Sequence, residues 1–296
     1  MELNLNNITF IIVSFKSHEV IDDCLKTLPE KSRKLVIENS KNIRLKKELE
    51  LKYDNIEVII NENLGMGASN NIGISMSKTD FVYILNPDTK FEYDTFKNLV
   101  SDAKKIKDFA ILSPLCSNKH YPNYKVLNPN KNNINDMIIE VDTIDGFSML
   151  INKSKFNKEF FDENIFLYLE NDDICLRARN NNQKIYILKN SLIDHLGSSS
   201  SLNNKNQFEY LRNWHWMWSK YYFNKKHYGT LNSFIKVMPN LFTATLNFIL
   251  NFLLFNTHKK KIYKMRISGL INSILGRKSF FRVDQWPGNS IKFSTL

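Results

Sequence analysis

The chain has 296 residues, 43% of them hydrophobic, which excludes a disordered protein and allows one large domain or a domain with an appendage. Its formal charge of +11 favours an anionic partner: nucleic acid, a nucleotide, a phospholipid surface or a pyrophosphate-linked substrate. Three widely spaced cysteines, Cys24, Cys116 and Cys175, indicate neither a disulfide framework nor a zinc knuckle.

The first predicted element is the apolar run from Ile8 to Val13, which is typical of a strand buried on both faces. The polar start of the chain shows no charged and apolar leader, so we expect a cytosolic protein. A helix is predicted from Val20 to Leu28, and Pro29 ends it. Further strands are predicted at 35–37, 56–60 and 81–85, with helices between them. This alternation predicts an open, mostly parallel α/β sheet with its chemistry at the carboxyl ends of the strands.

Beyond the fourth strand the pattern is less regular. A helix is predicted at 93–106, strands at 110–112, 137–141 and 147–151, and an exposed loop at 118–135. Two short strands are predicted at 184–188 and 192–195. An aromatic helix begins near Gln207, an apolar stretch covers 234–255 and a basic stretch covers 258–282. We expect a catalytic domain at 1–229 and a helical, basic region at 230–296.

The stretch from Phe166 to Arg177 places three carboxylates, Glu170, Asp172 and Asp173, at the start of a predicted helix. Acidic residues in a first turn followed by arginine also describe an ordinary helix start, so the pattern alone does not prove a site.

Other candidate site residues follow predicted strands. The absence of two common nucleotide-binding motifs also narrows the class of protein. No G-x-G-x-x-G turn follows the first strand and no P-loop occurs, which argues against dinucleotide and P-loop nucleotide binding. Asn86 and Asp88 flank Pro87 after the fourth strand and could hold Mg²⁺ or Mn²⁺ on a pyrophosphate, although Asn-Pro-Asp is also a turn signal. The glycine-rich run from Asn63 to Gly73 could approach a ligand or simply form a tight strand-to-helix turn.

Taken together, the ordered motifs resemble family 2 glycosyltransferases of the GT-A fold, and most closely the bacterial rhamnosyltransferases that build surface polysaccharides. The motifs are Val13-Ser14-Phe15, Glu38-Asn39-Ser40, Asn63-x-Gly65-x-x-x-x-Asn70-Asn71-x-Gly73, Leu85-Asn86-Pro87-Asp88, Asp145-Gly146, Phe166-x-Tyr168-x-Glu170-x-x-Asp173-x-Cys175-x-Arg177 and His195-x-Gly197. The resemblance covers about Thr9 to Gly229.

The resemblance implies an inverting, metal-dependent hexosyltransferase that uses a UDP- or dTDP-linked sugar. It assigns donor binding to positions at strand ends and in the glycine-rich run: Ser14, Glu38, Asn63, Gly65, Asn70, Asn86 and Asp88. Asp88 and His195 would hold Mg²⁺ or Mn²⁺, although a lone histidine after a strand is more often structural.

The acidic stretch matches the acid pair that supplies the catalytic base, which takes the proton of the acceptor hydroxyl. The second member of the usual Glu-Asp pair is Asn171 here, and an amide cannot act as a base. We therefore assign the base to Glu170, with Asp172 in reserve. Asp173 would orient the acceptor or pair with Arg177.

The C-terminal region suggests where in the cell the protein is found. Polar residues interrupt the apolar segment 237–255 and three lysines follow it, so an interfacial helix on the inner face of the cell membrane is favoured over a membrane span. Packing on the catalytic domain or on a second subunit, as a homodimer, is the alternative.

Two rival functions remain open at this stage. Asn171 allows a nucleotide-sugar-binding protein that has lost catalysis. The positive charge and the aromatic residues from Trp214 to Tyr228 allow a nucleic-acid-binding module, although aromatics at helical spacing are more often core. The donor sugar, the acceptor and the linkage are not readable from the sequence.

Overall fold

The computed structural model of the protein describes residues 3–127, 133–197 and 205–282. Parts of the predicted loop at 118–135 and of the C-terminal region lie outside these residues. The chain forms two compact units, one of residues 1–163 and 170–201 and the other of residues 164–169 and 202–296. The predicted domains divide the chain later, at residue 229, and that division stays a prediction.

The first unit contains a mixed sheet flanked by helices. Its strands are β1 (Ile8–Ser14), β2 (Arg33–Glu38), β3 (Ile56–Ile60), β4 (Phe81–Leu85), β5 (Thr89–Phe91), β6 (Ile111–Cys116), β7 (Tyr124–Lys125), β8 (Ile138–Glu140), β9 (Thr143–Ile144), β10 (Ser148–Asn152) and β11 (Ile185–His195). Its helices are α1 (Ile21–Thr27), α2 (Ile43–Lys52), α3 (Met66–Met76), α4 (Thr95–Ala103) and α5 (Glu170–Asn180).

Nine of the described strands form one sheet in the order β3-β2-β1-β4-β10-β6-β11-β5, with β8 paired to β11. β3, β2, β1 and β4 are parallel, as the alternating pattern predicts. β10 runs antiparallel between β4 and β6, and β5 and β8 pair antiparallel with β11. The sheet is therefore parallel on one side and mixed on the other.

The parallel strands form because their side chains are apolar and buried on both faces. Every residue of β1 and β4 is buried. One core cluster covers each face of the sheet, with Phe10 and Tyr83 stacked on one side and Ile11 and Ile84 on the other. Helices on both faces complete these cores, which fixes the strand ends as one edge where polar residues can emerge.

β11 differs from the prediction of two short strands at 184–188 and 192–195. It is one strand whose register against β6 shifts between Leu188 and Leu192. The polar residues Lys189, Asn190 and Ser191 occupy this irregularity and break the hydrophobic pattern, which is why the sequence suggests two strands. The bulge leaves the far end of β11 beside β5, a strand that the sequence analysis did not predict.

The second unit is helical, with α6 (Lys205–Leu253) and α7 (Thr257–Ile274). Gly229 has non-helical backbone angles, φ +82 and ψ 168, and divides α6 into two segments. A Cβ on Gly269 of α7 would lie 2.1 Å from the carbonyl oxygen of Trp214, so glycine allows the two helices to touch closely. By length and composition, α6 is the one described helix that could cross a membrane.

The aromatic face of α6 is core. Tyr210, Trp214 and Trp218 are buried with Met265, and Tyr221 is buried with Leu270. Rings buried in this way are not available to stack on bases, which weakens the argument from aromatic residues for a nucleic-acid-binding module.

Candidate active site

The carboxyl ends of β1, β2 and β4 place the first predicted site residues at one edge of the sheet. Ser14 ends β1 and pairs in register with Glu38, which ends β2. Asn86 and Asp88 follow β4 directly. β10 pairs with β4 from Ser148 opposite Leu85, so the segment before β10 reaches the same edge. The topology therefore brings residues from distant parts of the sequence to one line.

Glu38 is fully buried, and only one of its carboxylate oxygens is used. Oε1 accepts hydrogen bonds from the backbone N–H of Ser40, at 2.7 Å, and from the Ser40 hydroxyl. Oε2 has no hydrogen-bond partner among the described residues, and neither has the buried hydroxyl of Ser14. Burying such atoms costs about 1–3 kcal/mol each unless a ligand satisfies them. This end of the sheet is therefore suited to a ligand that donates hydrogen bonds.

A polar network behind Glu38 was not predicted. The side chains of Asn39 and Ser69 share hydrogen bonds of 2.8 and 3.1 Å, and Asn61 donates to Asn39 at 3.2 Å. These contacts tie the ends of β2 and β3 to the first turn of α3. Asn39 lies inside a motif that the sequence analysis quoted, but its partner Ser69 carries no signal except its place in the glycine-rich run.

The predicted residues of the glycine-rich run border α3. Gly65 has φ +96, a left-handed conformation that favours glycine, and its N–H donates to Asn63 Oδ1 at 3.3 Å. Asn70 is buried, and its Oδ1 has no partner among the described residues. The run therefore makes a tight turn and also presents an unsatisfied acceptor.

His195 lies beside Asp88. Nε2 of His195 is 3.4 Å from Oδ1 of Asp88, and the backbone N–H of Leu196 donates to the Asp88 carbonyl at 3.1 Å. The His195 ring stacks on Phe147 with centroids 4.2 Å apart. The register of β5 against β11, with Thr89 opposite His195, produces this contact.

Asn86, Asp88 and His195 offer an amide oxygen, a carboxylate and an imidazole at this edge. Oδ1 of Asn86 is buried and has no partner among the described residues. No group of three or more His, Cys, Asp or Glu residues in the described part of the chain could hold a metal ion. The donor set fits a divalent ion that takes its remaining ligands from a diphosphate and water, which is how Mg²⁺ is usually bound.

Glu170 begins α5 and is almost completely buried. Its Oε2 has no partner among the described residues. Burial, with a smaller contribution from the charge of Asp172, raises the pKa of Glu170 from 4.5 to about 7. The two residues before it, Tyr168 and Leu169, both have left-handed backbone angles, with φ +69 and +70. Strained backbone and an unpaired buried acid at one position are typical of functional sites.

The other two acids differ in their surroundings. Burial raises the pKa of Asp172, against the influence of Lys125, whose Nζ lies 3.8 Å away, and of the Thr143 hydroxyl at 3.3 Å. Asp173 is fully buried and accepts from Nε of Arg177 at 2.9 Å. Of the two roles expected for Asp173, the structure shows the pairing with Arg177.

One segment links the Asp88 side of the edge to the Glu170 side. The carbonyl of Phe147 accepts from the backbone N–H of Asn86 at 2.9 Å. The carbonyl of Ile144 accepts from Nδ2 of Asn171 at 2.8 Å, and a Cβ on Gly146 would lie 3.3 Å from Cβ of Asn171. Asn86, two residues before Asp88, and Asn171, next to Glu170, therefore both contact residues 144–147, which contain the predicted Asp145-Gly146 motif.

α3 also reaches Glu170. A Cβ on Gly67, in its first turn, would lie 3.7 Å from Cβ of Glu170 and 3.1 Å from Cβ of Phe161. The helix that carries Asn70 thus passes close to Glu170, and glycine provides the space. The structure brings together all the elements that bear the predicted site residues.

Comparison with known proteins identifies relatives of this chain. The profile of the family described as "Glycosyl transferase family 2" matches residues 9–177. A curated relative, the low-salt glycan biosynthesis hexosyltransferase Agl10 of Haloferax volcanii, is 26% identical over 61% of this chain and 64% of its own length. The rhamnosyltransferase WbbL of Escherichia coli (strain K12) is 26% identical over 56% of this chain and 75% of its own length. The matched region spans less than two thirds of the Haloferax protein.

Among solved structures, GalNAc-T7 with UDP, GalNAc and Mn²⁺ has a TM-score of 0.53 and 15% identity, over 72% of this chain and 52% of that one. This likeness shows the fold alone. The GT-A fold expected from the sequence is confirmed.

Proposed function

This chain belongs to glycosyl transferase family 2, and we propose that it transfers a sugar, with inversion, from a UDP- or dTDP-linked donor to an acceptor glycan of a bacterial surface polysaccharide. Membership of the family makes it a glycosyltransferase. The donor, the inversion and the acceptor are the finer parts of the proposal.

One observation carries the proposal. Eight buried side-chain nitrogen or oxygen atoms in the described part of the chain have no hydrogen-bond partner. Five belong to predicted site residues: Ser14, Glu38, Asn70, Asn86 and Glu170. Natural proteins leave few such atoms, and each calls for an explanation. A polar donor that satisfies them when bound is the simplest one.

In this proposal, β1, β2 and α3 hold the nucleoside. Glu38 Oε2 would accept an N–H of the base, which suits the imide of uracil or thymine. The Asn39 network would hold the end of β2 in place. Ser14 and Asn70 would complete the pocket, with Asn63 and Gly65 shaping the loop beside it.

Asp88, Asn86 and His195 would hold Mg²⁺ or Mn²⁺ at the donor diphosphate. When bound, the ion would supply positive charge that stabilises the leaving nucleoside diphosphate. Asp88 contributes the negative charge of the site. His195 is held against Phe147, which would fix the direction of its imidazole.

Glu170 would be the catalytic base. Its carboxylate would take the proton of the acceptor hydroxyl as that oxygen attacks the anomeric carbon from the face opposite the leaving nucleotide. A base works best when its pKa lies near the working pH, and burial raises the pKa of Glu170 to about 7. Asp172, the reserve candidate for the base, would support it by raising that pKa.

The proposed reaction also suggests an acceptor and a place in the cell where the enzyme acts. We propose that the acceptor is a growing glycan, free or lipid-linked, and that the enzyme works in the cytoplasm at the inner face of the cell membrane. Rhamnosyltransferase WbbL, by its name, transfers rhamnose; a related deoxysugar is the first donor to test.

The proposal is tested by nucleoside diphosphate release and by donor binding, over a panel of UDP-, dTDP- and GDP-sugars with Mg²⁺ or Mn²⁺. Glu170→Gln should lower transfer by about 10²- to 10⁴-fold, the usual contribution of a general base, and leave the donor-induced thermal shift intact. Asp88→Ala should abolish both transfer and the metal-dependent part of that shift.

The matched control for Glu170→Gln is Glu159→Gln, which removes an exposed carboxylate from the same unit. Full activity in Glu170→Gln would overturn the assignment of the base. Donor binding with no release under any acceptor would instead support the catalytically inactive nucleotide-sugar-binding protein. Failure of every nucleotide sugar to bind would contradict both hypotheses.

A further inference from the structure

A continuous apolar stripe runs along the second segment of α6. Its members are spaced three or four residues apart, which places them on one face of a helix. Each is between 48% and 75% exposed: Leu231, Ile235, Met238, Phe242, Leu246, Ile249 and Leu253. A helix face this apolar and this exposed requires a partner.

The opposite face of this segment already has its partner within the second unit. Val237 is fully buried with Met217, Tyr221 and Leu270, and Ala244 is also buried. The stripe is therefore the face that packing inside the unit leaves uncovered.

Polar residues of the segment satisfy themselves along the helix. Nδ2 of Asn247 donates to the carbonyl of Thr243, and Nδ2 of Asn251 donates to the carbonyl of Asn247, at 2.8 and 2.7 Å. The hydroxyl of Thr245 donates to the carbonyl of Leu241 at 2.9 Å. Side chains bonded to their own helix in this way can enter an apolar medium at reduced cost.

The stripe ends in an apolar tip where α6 turns into α7. Phe252, Leu253, Leu254 and Phe255 are consecutive, and their exposed fractions are 57%, 65%, 65% and 90%. Asn256 then caps α7, whose first turns carry Lys259, Lys260 and Lys261. Cations therefore follow the tip within two turns of helix.

The charge of the protein is divided between its units. By sequence, the second unit has 15 lysines and arginines and two acids, a net charge of +13. The first unit has 26 lysines and arginines and 28 acids, a net charge of −2. Between Tyr210 and Arg282 there are 13 cationic residues and no aspartate or glutamate. The whole positive excess of the chain thus belongs to the helical unit.

We propose that the stripe and the tip form a docking surface for an anionic phospholipid bilayer. The tip would enter the interface and the lysines of α7 would contact lipid phosphates. A second copy of the chain fits less well, because it would place two units of net charge +13 against each other, with only two acids in each. A membrane span fits less well, because the other face of the helix is packed on protein. The inference holds whether or not the proposed reaction is correct.

Sedimentation of the full chain with vesicles tests this surface. Vesicles of phosphatidylcholine with about one third phosphatidylglycerol should carry the protein down, with binding that weakens as salt rises, and pure phosphatidylcholine should bind it much less. Lys259→Gln with Lys260→Gln should weaken binding about 25-fold, at about fivefold for each lysine near an anionic surface. Leu254→Asp with Phe255→Asp should weaken it at least tenfold.

Exposed residues of the first unit provide matched controls. Lys47→Gln with Lys97→Gln makes the same change as the lysine variant, Leu51→Asp makes the change of one tip residue, and both should sediment like the unchanged protein. The melting temperature of each variant shows whether it has folded, and the lysine variants keep the test valid if the tip variant does not fold.

Two results would overturn the proposal: unchanged protein that stays in the supernatant with anionic vesicles, or tip and lysine variants that sediment like their controls. Light scattering tests whether a second copy of the chain covers the surface instead. A protein that is dimeric, does not bind vesicles and becomes monomeric in the tip variant would indicate a second copy. Glu170→Gln should still bind vesicles, so loss of activity alone counts only against the proposed reaction.

Discussion

Glu170 should make the protein less stable as the pH rises, and Glu170→Gln should remove this effect. Glutamine keeps the shape of the side chain and removes its charge. Glu170 is buried, one oxygen has no partner, and the folded protein raises its pKa from 4.5 to about 7. An unpaired charge at this position opposes folding whenever it forms.

The sign and size of this change in stability follow from the difference between the pKa values of Glu170 in the folded and unfolded chains. Below pH 4.5 both folded and unfolded chains hold the proton, and the ionisation costs nothing. Between pH 4.5 and 7 the unfolded chain releases the proton and the folded chain keeps it, so the free energy of unfolding decreases. The pKa difference of about 2.5 units, at 1.36 kcal/mol each, gives about 3 kcal/mol above pH 7. The variant should gain this amount relative to the unchanged protein.

Urea unfolding at pH 5 and pH 8 measures the effect, in chelator and without donor. The quantity of interest is the change with pH of the difference between the two proteins, because any cost of the buried amide is the same at both values. Glu159→Gln, an exposed carboxylate, should show almost no such change. A difference for Glu170→Gln that stays constant from pH 5 to pH 8, or that decreases, would refute the assigned burial and pKa.

Three further predictions concern Glu170, the pair of Arg177 with Asp173, and Gly269. The rate of sugar transfer should rise with pH and level off above about pH 7, because only ionised Glu170 can accept a proton; a rate that falls over pH 6–8 would contradict its role as a base. Arg177→Ala should lower the free energy of unfolding by about 3–5 kcal/mol, measured in urea, because it removes the guanidinium that pairs with the fully buried Asp173; an effect below about 1 kcal/mol would show that this pair contributes little to folding. Gly269→Ala should destabilise the second unit by about 1–3 kcal/mol or more in a thermal melt, because its Cβ would meet the Trp214 backbone, and an unchanged melt would contradict that approach.

The parallel half of the sheet was predictable because its strands are apolar runs buried on both faces. Phe81 to Leu85 is an example in which burial, composition and length all favour a strand. β5 was missed because Thr89-Lys90-Phe91 follows an Asn-Pro-Asp turn signal and is short. Its pairing with β11 depends on a partner a hundred residues later, which no local pattern contains.

The sequence predicted the candidate site residues at strand ends, but not the burial and hydrogen bonding of their side chains. The motifs identify Glu38 and Glu170, yet both are ordinary acids in the sequence. Their missing partners depend on burial by residues from several elements, such as Phe161 and Gly67 near Glu170. Ser69 was missed for the same reason, since its hydrogen bond to Asn39 joins two elements thirty residues apart.

If Glu170 is the catalytic base, as we propose, Asn171 has a role that does not require lost catalysis. Its Nδ2 donates to the Ile144 carbonyl at 2.8 Å, and Gly146 leaves little room beside it. An aspartate here would turn an acceptor towards that carbonyl and add a negative charge beside Glu170 and Asp172. Because a like charge raises the pKa of a neighbouring acid, it would move Glu170 further above neutrality. The amide therefore holds the start of α5 and, in the proposed mechanism, leaves the pKa of Glu170 near 7.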